Sequence, residues 1–258
     1  MFPTLSLGPA VIPTAPLILL IGIWLLLDAS ERSARRLNLD NKLIYNLAVT
    51  TLVTGFVGAR LVFVALHWSA YQNNLWGIVW PLVSGYEGWG GLLIGGFAAL
   101  LIARRTQLPL WPTLDALTPA LLIAFITISL ADFLGGPGYG KPTTMPWGIN
   151  LFNLRRHPVQ VYELLGGVGS LWLWWRLTDP VKQWGVAFLT SAAAYAALRL
   201  FTDAYRSNTP LTEGGYHLIQ LFCFVIMLSC LFLLSHLSAS PPPEPTPLKP
   251  QISEKHGA

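Results

Sequence analysis

Apolar positions along this chain gather into seven runs, at residues 1–27, 45–66, 88–103, 116–131, 162–175, 183–201 and 218–237, with short polar segments between them. A helix crossing a hydrocarbon core of about 30 Å needs roughly 20 mostly apolar residues, and the longer runs reach that length. The pattern predicts an all-α polytopic membrane protein, a bundle of about seven transmembrane helices. The fifth run is short, and Trp172, Trp174 and Trp175 at its end suit an aromatic belt at a membrane interface. Residues 69–87 are apolar, with Trp76 and Trp80, but are broken by Asn73, Asn74, Pro81 and Gly85; an interfacial or re-entrant segment fits them better than a span. The first run has neither a preceding Lys or Arg nor a clear small-x-small site after it, so it is read as a span and not a cleaved signal peptide.

Composition makes the same point. Hydrophobic residues make up 53% of the 258 and charged residues only 11%, whereas soluble proteins average about a quarter charged. The formal charge of +4 comes without a like-charge run or alternating basic and aromatic residues, which excludes a nucleic-acid partner. Basic residues set orientation instead. With the N-terminus outside, the inner segments hold Arg32, Arg35, Arg36, Lys42, Arg104, Arg105, Arg176, Lys182, Lys249 and Lys255. The outer loops hold only Lys141, Arg155, Arg156 and Arg206, so the C-terminus is expected in the cytoplasm. Residues 1–237 form one transmembrane domain on this reading, and the proline-rich 238–258 a disordered cytoplasmic tail.

The remaining ionisable residues collect at one membrane face. Arg60, Asp132 and Arg199 lie near the outer ends of spans two, four and six, and Glu87 and Glu163 open spans three and five. Tyr195, Arg199, Asp203 and Arg206 follow helical spacing and are expected on one narrow face. A charge facing lipid at mid-bilayer costs about 2.5–3.5 kcal/mol on the insertion scale, so such a stripe is expected to face protein. Taken singly, Arg60 or Arg199 is equally well explained as snorkelling to headgroups. Together they point to an anionic ligand. Cys223 and Cys230, seven apart in one apolar run without His or acid neighbours, read as packing residues, and no metal or organic cofactor is indicated. The glycines at 85, 88, 90, 91, 95 and 96 suggest close helix packing.

A glycine- and proline-rich loop, residues 135–160, ends in Arg155-Arg156-His157-Pro158-Val159-Gln160-Val161-Tyr162-Glu163. This segment resembles the H-P-x-Q-x-Y-E signature of the prolipoprotein diacylglyceryl transferases. Further blocks occur in that family's order: Gly58-Ala59-Arg60-Leu61, Gly90-Gly91-Leu92, Tyr139-Gly140 with Pro146-Trp147-Gly148, and the stretch from Tyr195 to Arg206. The resemblance implies transfer of a diacylglyceryl group from phosphatidylglycerol to the lipobox cysteine of a preprolipoprotein, at the outer leaflet of the bacterial inner membrane. It implies no cofactor.

On that resemblance Arg199, helped by Arg60, is expected to bind the phosphodiester bidentately. His157 or Glu163 is expected to serve as the base that activates the thiol. Tyr162 and Tyr195 are expected to position headgroup oxygens, and Asp203 to orient Arg199 across one helical turn. Arg156, Gln160, Gly140, Asp132 and Arg206 complete the expected substrate-binding set. Each also has a plainer reading: His157 as a helix-start residue, Gln160 and Tyr162 as structural, Asp132 as a partner for loop amides. The chain has Trp89 where many members carry histidine and others an aromatic residue, so a histidine base is lacking there. It departs from the family pattern at Ile128-Ser129-Leu130-Ala131-Asp132-Phe133, in place of G-R-x-G-N-F. An arginine is thereby lost and a carboxylate gained near the bound phosphate, which raises the alternative of a non-catalytic paralogue that binds phospholipid or lipoprotein precursor. A solute transporter would instead line the whole bilayer with polar groups, and here they cluster at one face.

Overall fold

The computed structural model describes residues 4–7, 10–73, 75–79, 85–136, 138–151, 153–178, 183–207 and 209–239. The proline-rich tail from residue 240 lies outside them, as do Asn74, Trp80, Pro81 and Lys182. The protein is mostly helical. Among the described residues seven helices have 18 or more residues: α1 (Thr14–Arg36), α2 (Asn41–Leu66), α5 (Gly88–Arg105), α6 (Leu110–Gly135), α7 (Val159–Leu177), α8 (Val186–Asp203) and α9 (Leu218–Ala239). Four of them, α1, α2, α6 and α9, are long and apolar enough to cross a membrane by length and composition. Single-turn helices α3 (Trp68–Tyr71) and α4 (Trp76–Val79) lie between α2 and α5. Two antiparallel hairpins complete the fold: β1 (Thr4–Leu7) with β2 (Ala10–Pro13), and β3 (Ile149–Leu151) with β4 (Leu154–Arg156).

The helices follow the apolar runs, but their ends differ for identifiable reasons. The first run was expected to span from residue 1; instead Thr4–Pro13 form the hairpin and α1 starts at Thr14, directly after Pro13, which stands at its N-cap in extended conformation. At its other end α1 continues through the polar residues to Arg36. Ion pairs one turn apart, Asp28–Arg32 at 2.7 Å and Glu31–Arg35 at 3.2 Å, support that extension. Asp40 then caps α2 by accepting from the amides of Lys42 and Leu43. Of the three tryptophans expected at a membrane interface, Trp172 and Trp175 are exposed, and Arg36 lies over the Trp175 ring. Trp174 is the exception: it is buried, and its indole N–H donates to the Asp115 carbonyl at 2.8 Å.

Close backbone packing joins α2 to α5. A Cβ at Gly91 would stand 2.8 Å from the Gly55 carbonyl oxygen, and one at Gly95 2.9 Å from that of Thr51, so both positions need glycine. Gly88 and Gly96 face open space and play no such part.

Asp115 is a tie that the apolar pattern conceals. It is buried within α6, and its carboxylate accepts from the amides of Gly185 at 2.7 Å and Phe188 at 2.8 Å. It thus caps α8 from another helix, where Gly185 itself offers no side chain. Asp115→Ala strands two N–H donors, that of Gly185 buried and that of Phe188 partly so, and is expected to cost about 1–3 kcal/mol. Thermal unfolding of the detergent-solubilised variant checks this, and an unchanged midpoint contradicts the capping role.

Candidate active site

The C-terminal end of α6, the N-terminal end of α7 and the C-terminal end of α8 meet at one end of the bundle, with Glu163 at the junction. Its side chain is only 2% exposed. One face of the carboxylate forms an ion pair with Arg199. Arg206 closes on it through Nη2, 2.7 Å from Oε1 and 2.8 Å from Oε2, and the Ser129 hydroxyl donates to Oε2 at 3.4 Å. Asp132 completes the cluster. A Cβ at Gly138 would stand 2.5 Å from Arg206 Nη1 and 3.4 Å from Asp132 Oδ2, which places both charged groups against that glycine. Two guanidiniums and two carboxylates therefore share a small buried volume. Breaking such a group by removing one partner is costly, because the remaining charges lose their compensation.

Arg199 also lines a cavity of about 730 Å³. The cavity runs between α5, α6, α8 and α9 and is walled by Trp89, Leu122, Phe125, Tyr195, Phe222 and Ile226 among others. Its lining on α8 extends from Phe188 to Arg199, about 16 Å along the axis, close to the thickness of one leaflet. Tyr195 stacks on Phe125 with ring centroids 4.6 Å apart. Trp89 meets Phe222 edge-on at 5.9 Å and joins the apolar wall between α5 and α9. Cys223 lines the same cavity, and neither cysteine is in a disulfide.

The signature loop packs over this end through a small β arrangement. Gly140 bridges to Arg206, and Pro142 to Arg156. Glycine is required at 140, because a Cβ there would collide with the His157 carbonyl oxygen and stand 2.8 Å from the His157 Cβ. His157 Nδ1 lies 3.3 Å from the Tyr162 hydroxyl, which in turn accepts from the Trp147 indole at 2.8 Å. Gln160 is fully buried at the start of α7. Arg156 donates to the carbonyls of Leu151 and Gly140 and stands over the Tyr139 ring.

Several expected site residues thus come together and others do not. Arg199, Glu163, Arg206 and Asp132 form one cluster, with Tyr195 beside Arg199 in the cavity wall. Arg206 lies beyond the end of α8, so the expected four-residue helical face is three residues long, and the chain turns back to bring Arg206 in. Asp203 does not orient Arg199: its carboxylate meets His217 Nδ1 at 3.0 Å, while Arg199 pairs with Glu163. Glu163, expected as a base, is occupied by two guanidiniums and serves to hold them. Arg60 is engaged elsewhere. Its guanidinium donates to the carbonyls of Gly77, Ile78 and Gly85, with Tyr71 and Tyr86 rings alongside, and so fastens the segment between α2 and α5.

His217 was not singled out from sequence. Its position immediately before the last apolar run was the available signal, as Glu87 stands immediately before the third. Among the described residues no three or more His, Cys, Asp or Glu side chains are grouped to hold a metal ion.

Comparison with known proteins places the chain in a family. The family model for prolipoprotein diacylglyceryl transferase matches residues 4–236. Curated relatives named phosphatidylglycerol–prolipoprotein diacylglyceryl transferase include one from Thermosynechococcus vestitus, 29% identical over 218 residues covering 80% of this chain and 79% of the relative. Another, from Synechococcus elongatus, is 29% identical over 241 residues covering 86% and 83%. A third, from Mycobacteroides abscessus, is 28% identical over 236 residues covering 81% and 69%. With a match over nearly its whole described length, the chain belongs to the prolipoprotein diacylglyceryl transferase family, a family of enzymes.

Proposed function

We propose that this protein transfers the diacylglyceryl group of phosphatidylglycerol to the lipobox cysteine thiol of preprolipoproteins. The observation that carries the reading is the union of a leaflet-deep apolar cavity with a guanidinium at its wall, that of Arg199. Two acyl chains suit the cavity, whose apolar lining favours them over water. The phosphodiester then falls at Arg199, with Arg206 behind Glu163. Charge that develops on the departing glycerol phosphate is met there by groups already fixed in place. Tyr195 borders the headgroup position, and the Tyr162–His157 pair with Gly140 and Arg156 forms the loop side over which the acceptor segment passes. Asp132 shapes the polar end beside Arg206.

In this reading the seven long helices all span the bacterial cytoplasmic membrane. The N-terminus is outside, the charged cluster lies at the outer leaflet, and the chain beyond α9 is cytoplasmic. A second reading, a non-catalytic paralogue that binds phospholipid or lipoprotein precursor, is favoured by one observation. Glu163 and Asp132 balance Arg199 and Arg206, so the cluster carries no net positive charge before an anion arrives. Complementation separates the two. In a bacterium whose own transferase is repressed, this chain is expected to restore growth and lipoprotein lipidation. Failure by a folded, membrane-inserted protein that still retains phosphatidylglycerol supports the binding paralogue.

A further inference from the structure

The cavity that Arg199 lines has a charged end and a closed apolar end. α6 and α8 run toward the charged cluster, and α9 starts beside the end of α8, where Gln220 donates to the Leu200 carbonyl at 3.1 Å. Counted away from Arg199, the last residues to line the cavity are therefore Thr118 on α6, Phe188 on α8 and Ile226 on α9. Phe188 and Ile226 also pack on a core of Leu189, Ala193 and Cys230, against which Trp111 of α6 lies as well. Beyond them stand packed side chains, not a continuation of the cavity. The level of this floor is fixed by the backbone: the amide of Phe188 donates to Asp115 at 2.8 Å, which holds the start of α8 against α6 about one turn from Thr118. The Thr118 hydroxyl donates to the Leu114 carbonyl at 2.7 Å and is satisfied without any occupant of the cavity.

We propose that Phe188, with Thr118 and Ile226 beside it, sets the acyl-chain length of the phospholipid that this cavity accepts. The proposal rests on the transfer reading above in taking that lipid as the donor. Phe188 lies eleven residues before Arg199, about 16 Å along the helix axis, and one leaflet's share of a hydrocarbon core of about 30 Å is nearly the same. A chain of ordinary length with its phosphate at Arg199 thus ends at the floor. A longer one has to fold back or displace side chains packed as densely as an organic crystal, and overfilling such a core is unfavourable. Phe125, Tyr195 and Phe222 flank the chain whatever its length, so the floor alone reads where it ends. One turn nearer Arg199, Ala192 lines the same wall with a side chain small enough to leave the passage open.

The test gives purified protein in detergent a lipobox peptide and an equimolar mixture of dilauroyl, dimyristoyl, dipalmitoyl and distearoyl phosphatidylglycerol. Mass spectrometry reads which diacylglyceryl group reaches the peptide and, in a sample without peptide, which lipid stays bound to the protein. Each reading is a ratio among competing lipids, so a smaller amount of folded protein cancels. For the wild type the distearoyl group is expected about tenfold below the dipalmitoyl, a discrimination within reach of unaccommodated methylenes. Phe188→Ala deepens the cavity and should bring the two close to equality. Ala192→Leu fills space instead of opening it, which keeps the test available if Phe188→Ala does not fold. It raises the obstruction by one turn, so the dipalmitoyl group is expected about tenfold below the dilauroyl. A wild-type profile flat across the mixture, or variants whose profiles match the wild type, overturns the chain-length assignment and leaves the transfer reading in place. Bound lipid that follows the expected profiles beside a peptide that stays unmodified supports the assignment and overturns the transfer reading.

Discussion

Arg199→Ala is expected to lower transfer by about 10²–10³-fold, the usual cost of removing one fixed donor from a developing negative charge. Arg199 is the charged residue of the cavity lining, so it is where the apolar and polar halves of the lipid meet. Arg206 keeps its two-oxygen grip on Glu163 in the variant, so the buried carboxylate is still compensated and folding should survive. Arg199→Lys should recover only part of the loss, because an ammonium keeps the charge but lacks the fork that suits a phosphate. Assays of turnover beside thermal melting check the split. An alanine variant that turns over normally, or one that loses activity only because it unfolds, contradicts the assigned role.

Glu163→Gln is expected to act first on stability. The carboxylate holds two guanidiniums in a nearly solvent-free site, and the amide keeps its shape but leaves the two cations facing each other. Breaking a buried pair in this way costs about 3–5 kcal/mol, enough to lower the melting midpoint clearly and reduce the yield of folded protein. Phosphatidylglycerol should restore more stability to the variant than to the wild type, because its phosphate supplies the missing negative charge and ligand binding stabilises by mass action. Equal lipid-induced shifts in the two proteins would place the phosphate away from these arginines.

The architecture was legible in the order of apolar runs, because a chain solvated by lipid has few other ways to satisfy its backbone. All seven runs correspond to helices of 18 or more residues. Helix ends were less legible. Ion pairs one turn apart carried α1 through a polar stretch that hydropathy assigns to a loop, and Pro13 stands where the hairpin ends and α1 begins. Asp115 stands just before the run at 116–131 without any sequence signal of its role, since a cap supplied from one helix to another leaves no local pattern.

At the site, helical spacing and position at one face found Arg199, Glu163 and Arg206, but spacing alone does not assign partners. Asp203 stands one turn from Arg199, yet its carboxylate turns to a histidine fourteen positions further along the chain, brought back by the loop before α9. Arg60 shows the same limit. It stands in a family-like block, but three carbonyls of a broken apolar segment take its donors. In sequence Ser129 reads as a lost arginine and Asp132 as a gained carboxylate, and in the structure both join the Glu163 cluster.

The central claim is that this protein joins a diacylglyceryl group to a cysteine thiol, and mass spectrometry of the acceptor tests it most directly. Purified protein is incubated with phosphatidylglycerol and a lipobox peptide. The account predicts a mass gain of one diacylglyceryl group on the cysteine, absent when that cysteine is replaced by serine and strongly reduced with Arg199→Ala. An unmodified peptide, from protein shown to be folded and lipid-loaded and beside a relative that modifies the same peptide, would contradict it.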